Sequence, residues 1–356
     1  MSAHRLKLRT TLFAGVSTLA LTVGAAELRA ADVPPPAPRA VLKAPPPVVQ
    51  PGVLTLWIEG GAFWTGGSDV RLGIPDVVSN VAGLGGFGIF RPRAGLEAAV
   101  GADWRFAASP WHVSFDVRYG QAKSRGQNFA KNFTTHTGDN ASSIAVAVQG
   151  QARQHESHLV ADFMVGRDIG VGGILALSQV KFGVRVADLE SRLHADLQAF
   201  AKCTDGGVSC GLGNNSTAAA AVSLDERSRF LGVGPRGAIE GAVPLGGPWA
   251  VDYMGGIAVL FGEQKLKISG AGVSSSSFFG TTGTFTFATQ STSNKAVFNA
   301  DASAALSYWF TPHAKISAGF RFDGYWKALR TFDANGNIVN VDRFYYGPFV
   351  RLTGQF

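Results

Sequence analysis

The last fourteen residues, Arg343 to Phe356 (RFYYGPFVRLTGQF), restrict the fold more than any other stretch of the chain. Counting back from the free end, Phe356, Gly354, Leu352, Val350, Pro348, Tyr346 and Phe344 are apolar, aromatic or small, and Arg343 and Arg351 stand among the positions between them. Successive side chains of an extended chain point to opposite faces, so a period of two over this length predicts a strand with one apolar face and one wet face. Other strands of the same protein should then repeat the alternation.

Nine further runs do so, within residues 54–65, 93–106, 111–119, 158–166, 179–186, 231–240, 249–264, 298–310 and 315–326. The second is the cleanest, setting Ala94, Leu96, Ala98, Val100, Ala102, Trp104 and Phe106 against Arg93, Glu97, Asp103 and Arg105. The connections alternate in length. Short links fall at Ala107–Pro110, Asp168–Leu175, Pro244–Pro248 and Thr311–His313; long ones, rich in Gly, Ser, Thr and Asn, fall near 66–92, 120–152, 187–227, 265–293 and 327–342. An even number of strands with both chain ends on the short-link side is the layout of a barrel that crosses a membrane, with short periplasmic turns and long extracellular loops.

A soluble sandwich also alternates, and the distinction rests on which face could form a dry core. Arg, Lys, Asp and Glu occur on the polar face of nearly every run, which is too wet for one. The apolar face ends in aromatics on both sides: Trp104, Phe106, Trp111, Trp249, Tyr308, Phe310 and Phe356 beside the short links, Trp64, Tyr119, Phe261, Trp326, Phe344 and Tyr346 beside the long ones. Two such belts match strands crossing an apolar slab, and unpaired strand edges in hydrocarbon would leave amides unsatisfied, so the sheet must close. The expected fold is all-β: a closed antiparallel transmembrane β-barrel of ten strands, twelve being the alternative. Past the N-terminus no apolar run reaches the roughly 18 to 20 residues of a spanning helix, and 45 glycines suit strands better than helices.

Residues 1–30 read as a secretory signal, with Arg5, Lys7 and Arg9 before the uncharged stretch Thr10–Ala26. Residues 31–52 hold DVPPPAPRAVLKAPPPVVQPG, too proline-dense for helix or central strand, and read as a polyproline spacer in the periplasm. The barrel domain is expected over 53–356. The net charge of +7 falls to +4 without residues 1–30, spread thinly and without Lys/Arg blocks, so nothing points to nucleic acid. Export to an oxidising compartment makes a local disulfide between Cys203 and Cys210 the expected pairing. Two thiols with no His or acid grouped beside them are too few ligands for a metal.

The stretches WIEGGAFWTGG (57–67), FLGVGPRG (230–237), DYMGGIAVLFG (252–262) and YYGPFVRL (345–352) resemble the Legionella-type major outer-membrane protein family, over most of residues 53–356. The resemblance implies an outer-membrane, pore-forming barrel, with surface roles in some members, and carries over no catalytic residue. The terminal aromatic resembles the closing strand of bacterial outer-membrane barrels. That implies Phe356 as an insertion signal for the barrel-assembly machinery, with outer-membrane lipids as the surrounding partner.

If the polar face is the lumen, its expected lining includes Glu59, Arg93, Glu97, Asp103, Arg105, Asp116, Arg118, Asp162, Lys181, Arg185, Arg236, Glu240, Asp252, Arg321, Asp323 and Arg351. One reading is a charged eyelet through which small solutes or ions diffuse, with slight anion preference. The other is a network of internal ion pairs that fills the barrel, because ten strands sit near the size at which side chains occupy the interior. A surface or structural protein acting through its loops, as adhesin or receptor, is a further reading. A rim hydrolase would need a cluster around His136, His155 or His158, which read instead as solvated loop histidines, and no catalytic, nucleotide or metal motif occurs. No enzyme activity, cofactor or metal is expected.

Overall fold

The computed structural model describes residues 52–68, 71–72, 87–89, 94–124, 127–137, 142–170, 177–205, 217–276, 281–332 and 337–356. The expected signal and nearly all of the proline-rich leader, Arg93, Cys210 and the Cys203 side chain lie outside the described residues.

The strands are β1 (Val53–Gly67), β2 (Arg71–Leu72), β3 (Phe87–Ile89), β4 (Gly95–Arg105), β5 (Trp111–Lys123), β6 (Gln127–Thr137), β7 (Ser142–Asp168), β8 (Leu177–Asp205), β9 (Thr217–Gly246), β10 (Trp249–Ser276), β11 (Thr281–Thr311), β12 (Ala314–Phe332) and β13 (Ile338–Gln355). Ten of them close a ring in the order β1-β13-β12-β11-β10-β9-β8-β7-β5-β4, antiparallel throughout. This is the ten-stranded barrel that the alternation predicts. The first and last strands make the seam, from Thr55 opposite Gln355 to Gly67 opposite Arg343. Leu54 and Phe356 exchange two backbone hydrogen bonds, of 3.0 and 2.9 Å, at its end.

The alternation sorts the faces as expected. Phe115, Val184 and Phe320 are 47%, 45% and 49% exposed on the outside, whereas Arg118 and Asp323 are 4% and 2% exposed within. The aromatics of the two belts all stand on the outer face, so the apolar side has no protein against it. Only lipid leaves such a band satisfied. Three of the short links are tight turns, such as the one at Gly247 and Pro248, where Gly246 and Gly247 have φ of +108° and +57° that disfavour a side chain, and most of the fourth, Asp168–Leu175, lies outside the described residues.

The long links differ from the expectation. Much of the segments 120–152, 187–227, 265–293 and 327–342, expected as polar loops, is paired strand, whereas most of 66–92 lies outside the described residues. Thus β7 and β8 stay in register from Asp168↔Gln179 to Ser142↔Asp205, and β10 and β11 from Trp249↔Tyr308 to Ser276↔Thr281. The segment 120–152 contains β6, which pairs only with β7 and so adds a strand beyond the ring. The fifteen residues Gly262–Ser276 carry β10 onward from the outer belt at Phe261, roughly 50 Å of strand. A curved sheet, β6 to β11, thus stands above the barrel. Its Ser, Thr and Gly composition does not alternate because both faces meet water near the top; the ladder continues while its hydrophobic signature disappears.

On β12 the chain bends at Lys327, a bulge with φ of +59° where pairing with β13 shifts register between Tyr325 and Leu329. Polar groups hold the bend: Asp342 accepts a hydrogen bond from the Lys327 amide at 2.8 Å, and Gln264 donates to the Lys327 and Ala328 carbonyls at 2.6 and 2.9 Å. The bulge re-aims the strand so that Ala328 and Leu329 are both buried.

Candidate functional site

The barrel interior is built in tiers. Nearest the short turns is a cavity of about 380 Å³, lined among others by Thr55, Trp57, Asp116, Tyr253, Lys315 and Gln355. Around it, Asp103 accepts from His112 Nδ1 at 2.9 Å and Lys181 Nζ at 2.8 Å, and Asp252 accepts from Lys315 Nζ at 2.6 Å. Glu240 pairs with Lys181. Arg105 pairs with Asp168 at 3.0 Å on the half-exposed rim.

The next tier is a layer of charges with little water access. Arg185, fully buried, donates through Nε and Nη2 to Asp162 at 2.7 and 2.6 Å and through Nη1 to Asn299 and Asp301 at 2.6 and 3.0 Å. Arg236 also binds Asp301, with its Nη2 at 2.8 Å. Arg118 reaches Asp323 at 3.2 Å, and the Arg321 guanidinium bridges Glu59 and Glu97. Arg351 donates to the same Glu59 at 2.9 Å and lies over the Trp57 ring, 5.8 Å from its centroid. Strand order explains the convergence: β7, β8 and β9 are neighbours, and β11 and β12 face them across the lumen. The bidentate pairs join neighbouring strands, Arg185 with Asp162, or strands separated by one, Arg236 with Asp301 and Arg321 with Glu59. Arg118 to Asp323 and Arg185 to Asp301 reach farther across, in contacts suited to a low dielectric.

Above the charges lies a third tier, dry and apolar. Phe63, Ala122, Val160, Ala187, Leu189, Phe230, Ala258, Leu260, Val297, Tyr325, Ala328, Leu329, Val341 and Tyr345 form one buried cluster. Every strand of the ring except β4 contributes to it, and on β4 Gly95 is covered by the Phe63 ring from the adjoining strand. The His158 ring packs against Tyr345 and Phe63, with centroids 4.3 and 5.0 Å away, while its Nε2 lies 2.8 Å from Glu97 Oε2. His158 is therefore an interior residue joining two tiers, not the solvated loop histidine expected. Gly120 stands opposite it and makes the room, since a Cβ there would fall 2.3 Å from the ring. His155 faces outward, 3.0 Å from Gln121, and His136 lies in β6 opposite Ser143, its ring outside the described residues.

Beyond the outer belt the interior turns polar again. Arg343 Nε pairs with Glu156 at 3.1 Å and Gln154 donates to Glu156 at 2.8 Å. Burial pushes the Glu226 carboxyl up to about 7, against the opposing pull of Arg343. A second apolar cluster of Ala152, Leu193, Ala195, Leu224 and Ile268, with Leu197, Phe287 and Phe332 packed on it, holds the upper sheet together.

Of the charged residues expected in the lumen, Glu59, Glu97, Asp103, Asp116, Arg118, Asp162, Lys181, Arg185, Arg236, Glu240, Asp252, Arg321, Asp323 and Arg351 all take part in the inner tiers, with Arg105 at the rim. The apolar tier was missed, although Phe63, Val160, Leu189, Phe230, Leu260, Tyr325 and Tyr345 fall on the same parity as the charges. Aromatic and aliphatic residues on a wet face were the available signal. Among the described residues, no grouping of His, Cys, Asp and Glu is suited to a metal ion.

Three solved structures align along most of the chain. They are the outer membrane protease OmpT of Escherichia coli (9% identity, 87% of this chain and 98% of that one, TM-score 0.34), the P. putida toluene transporter TodX (9%, 86% and 90%, 0.22) and the Ralstonia pickettii toluene transporter TbuX (10%, 86% and 90%, 0.22). No curated protein sequence matches the chain. The family described as Legionella pneumophila major outer membrane protein precursor matches residues 93–356, and with that match covering the barrel from β4 to its last strand, the chain belongs to this family of outer-membrane proteins.

Proposed function

We propose that the barrel is sealed in its resting form and serves as a membrane-anchored support for the β-sheet it raises above the cell surface, a surface or structural role carried out through the long hairpins. The observation that carries this reading is the apolar tier, fourteen buried residues drawn from nine of the ten ring strands. A water-filled path for ions needs polar walls throughout, and a dry constriction of Phe, Tyr, Leu and Val opposes their passage by dewetting. Planar-bilayer recording of the refolded protein tests it: a silent bilayer is expected, and stepwise conductance in the unmodified chain would overturn the sealed reading.

Passive diffusion of small hydrophilic solutes or ions is the second reading, and the cavity of about 380 Å³ on the turn side favours it. The charged tier would then act as the selective zone once the apolar tier opened. If steps appear, replacing Arg118 and Arg321 with Gln should lower any anion preference, and an unmoved reversal potential would deny those residues a role. Neither reading involves catalysis. Refolded protein is expected to cleave neither casein nor phospholipid, and turnover above that of a heat-denatured control would reopen the hydrolase reading.

Phe356 stands fully outward at the seam, where it is free to be read before closure. Assembly machinery recognising the last strand would make a chain lacking Phe356 insert more slowly in cells while folding normally into detergent.

A further inference from the structure

Beyond the outer belt, the outward faces of five adjacent strands change from apolar to polar and charged. On β5 the change follows Tyr119, on β7 Leu159, on β8 Val186, on β9 Leu231 and on β10 Phe261. Register then places Lys123 opposite His155, His155 opposite Arg192, Arg192 opposite Arg227 and Arg227 opposite Lys267. Five basic side chains form one row across the sheet, roughly 19 Å from end to end at the spacing of neighbouring strands. They line a groove of about 690 Å³ that also holds Arg153, Ser124, His194 and two carboxylates, Asp225 and Glu226.

Like charges directly opposite one another destabilise a sheet, and the carboxylates nearby cancel only the middle of the row. Glu190 pairs with Arg192 and Arg227, Asp188 with Arg229, Glu263 with Lys265, and Asp225 with His194. Among the described residues Lys123 and Lys267, the two ends of the row, have no carboxylate partner, and Arg153 donates only to Gln151. Partial burial, with Lys123 and Arg192 alongside, holds the His155 imidazole below its ordinary value against the opposing pull of Glu190 and Glu156. The row lies four residues beyond the belt residue on β5, β7 and β9 and six beyond it on β8 and β10, outside the apolar band.

We propose that this row is a binding site for the phosphate groups of a phosphorylated outer-leaflet glycolipid, its acyl chains lying along the apolar band below and its headgroup in the Lys123–Lys267 groove. A headgroup with two phosphates suits a row with unpaired cations at both ends, since Lys and Arg donate charge-assisted hydrogen bonds to several phosphate oxygens at once. Position decides between a membrane lipid and an acidic protein: the cations stand on the same outward faces as the lipid-facing band, four to six residues beyond it.

The test uses the full chain refolded in a neutral detergent, with bisphosphorylated lipid A as probe and native mass spectrometry as readout. The comparison is with Lys123→Gln/His155→Gln/Lys267→Gln, which leaves the arginine pairs with Glu190 in place. Gel mobility before and after boiling confirms that both proteins fold. The expected result is one lipid A retained by the wild type and at least tenfold weaker retention by the folded triple variant, with little retention of a phosphate-free analogue. Equal retention by the variant, or of the analogue, would overturn the site. So would displacement of lipid A by millimolar inorganic phosphate, which would mark a simple anion site, or preferential capture of an acidic peptide.

Discussion

Arg185 shows what the interior asks of a single residue. Its guanidinium has no contact with water and four hydrogen bonds to three side chains on β7 and β11. Removing one member of a buried charge cluster leaves the others uncompensated, which typically costs about 3–5 kcal/mol. Arg185→Leu is therefore expected to lower the urea midpoint of unfolding by an amount equivalent to that cost, whereas Arg192→Leu, on the solvated outer face, should change it by less than about 1 kcal/mol. Glu226 tests the upper interior, outside the membrane. Its carboxyl binds its proton more tightly when folded, at about 7 against 4.5 unfolded. The folded state thus holds more protons across that interval, and stability should be fully present below pH 4.5 and fall as pH rises toward and through 7, by on the order of 3 kcal/mol. Glu226→Gln should flatten that slope between pH 5 and 8; an unchanged slope would assign it elsewhere. Arg185 is legible in the sequence as an interior residue, its partners are not, and Glu226 falls in a stretch that reads as polar loop. Parity puts Arg185 and Asp162 inside, but which acid lies across the lumen depends on the stagger of strands, which a one-dimensional pattern does not contain.

At the scale of elements, the outer belt divides what the sequence shows from what it hides. Inside the bilayer each strand must present an apolar face to lipid and a polar one to the interior, and all ten ring strands could be counted from that contrast. Above the belt the same strands continue with water outside, so Lys267–Ser276 and Thr281–Asn294 carry the composition of loops while pairing residue for residue. Stability there has local sources: the small cluster around Leu193, Leu224 and Ile268 and continuity of the ladder with the barrel below. The tips of β10 and β11 lie past that cluster and bury little. Replacing Ala271–Phe285 with a two-residue turn should consequently leave a barrel that still shifts on gels when boiled, with an unfolding midpoint within about 1 kcal/mol of the parent. Cutting instead at Leu266 and Ser291, which removes Ile268 and Phe287, should loosen the upper sheet and expose β8 and β9 to proteolysis above the membrane.

For the whole molecule, the stacking of tiers sets what can pass. The cavity is lined by polar and charged groups, the charged tier is filled by paired arginines, and the apolar tier closes the lumen again with rings from opposite walls. Two seals in series behave differently from one. Opening only the apolar tier, with Phe230→Gly and Tyr345→Gly, removes two rings yet leaves Arg118, Arg185, Arg236 and Arg321 bound to their carboxylates in the lumen. Such a variant should show small, infrequent steps in a planar bilayer, because ions would have to thread or displace those pairs. Adding Arg321→Gln should enlarge the steps and shift preference toward cations, since Glu59 and Glu97 would lose a shared counter-charge. If the first pair of substitutions alone gave large, open-channel conductance, the charged tier would be no barrier and the seal would reside wholly in the rings; if the combined variant stayed silent, the closure would lie in the sheet above the membrane.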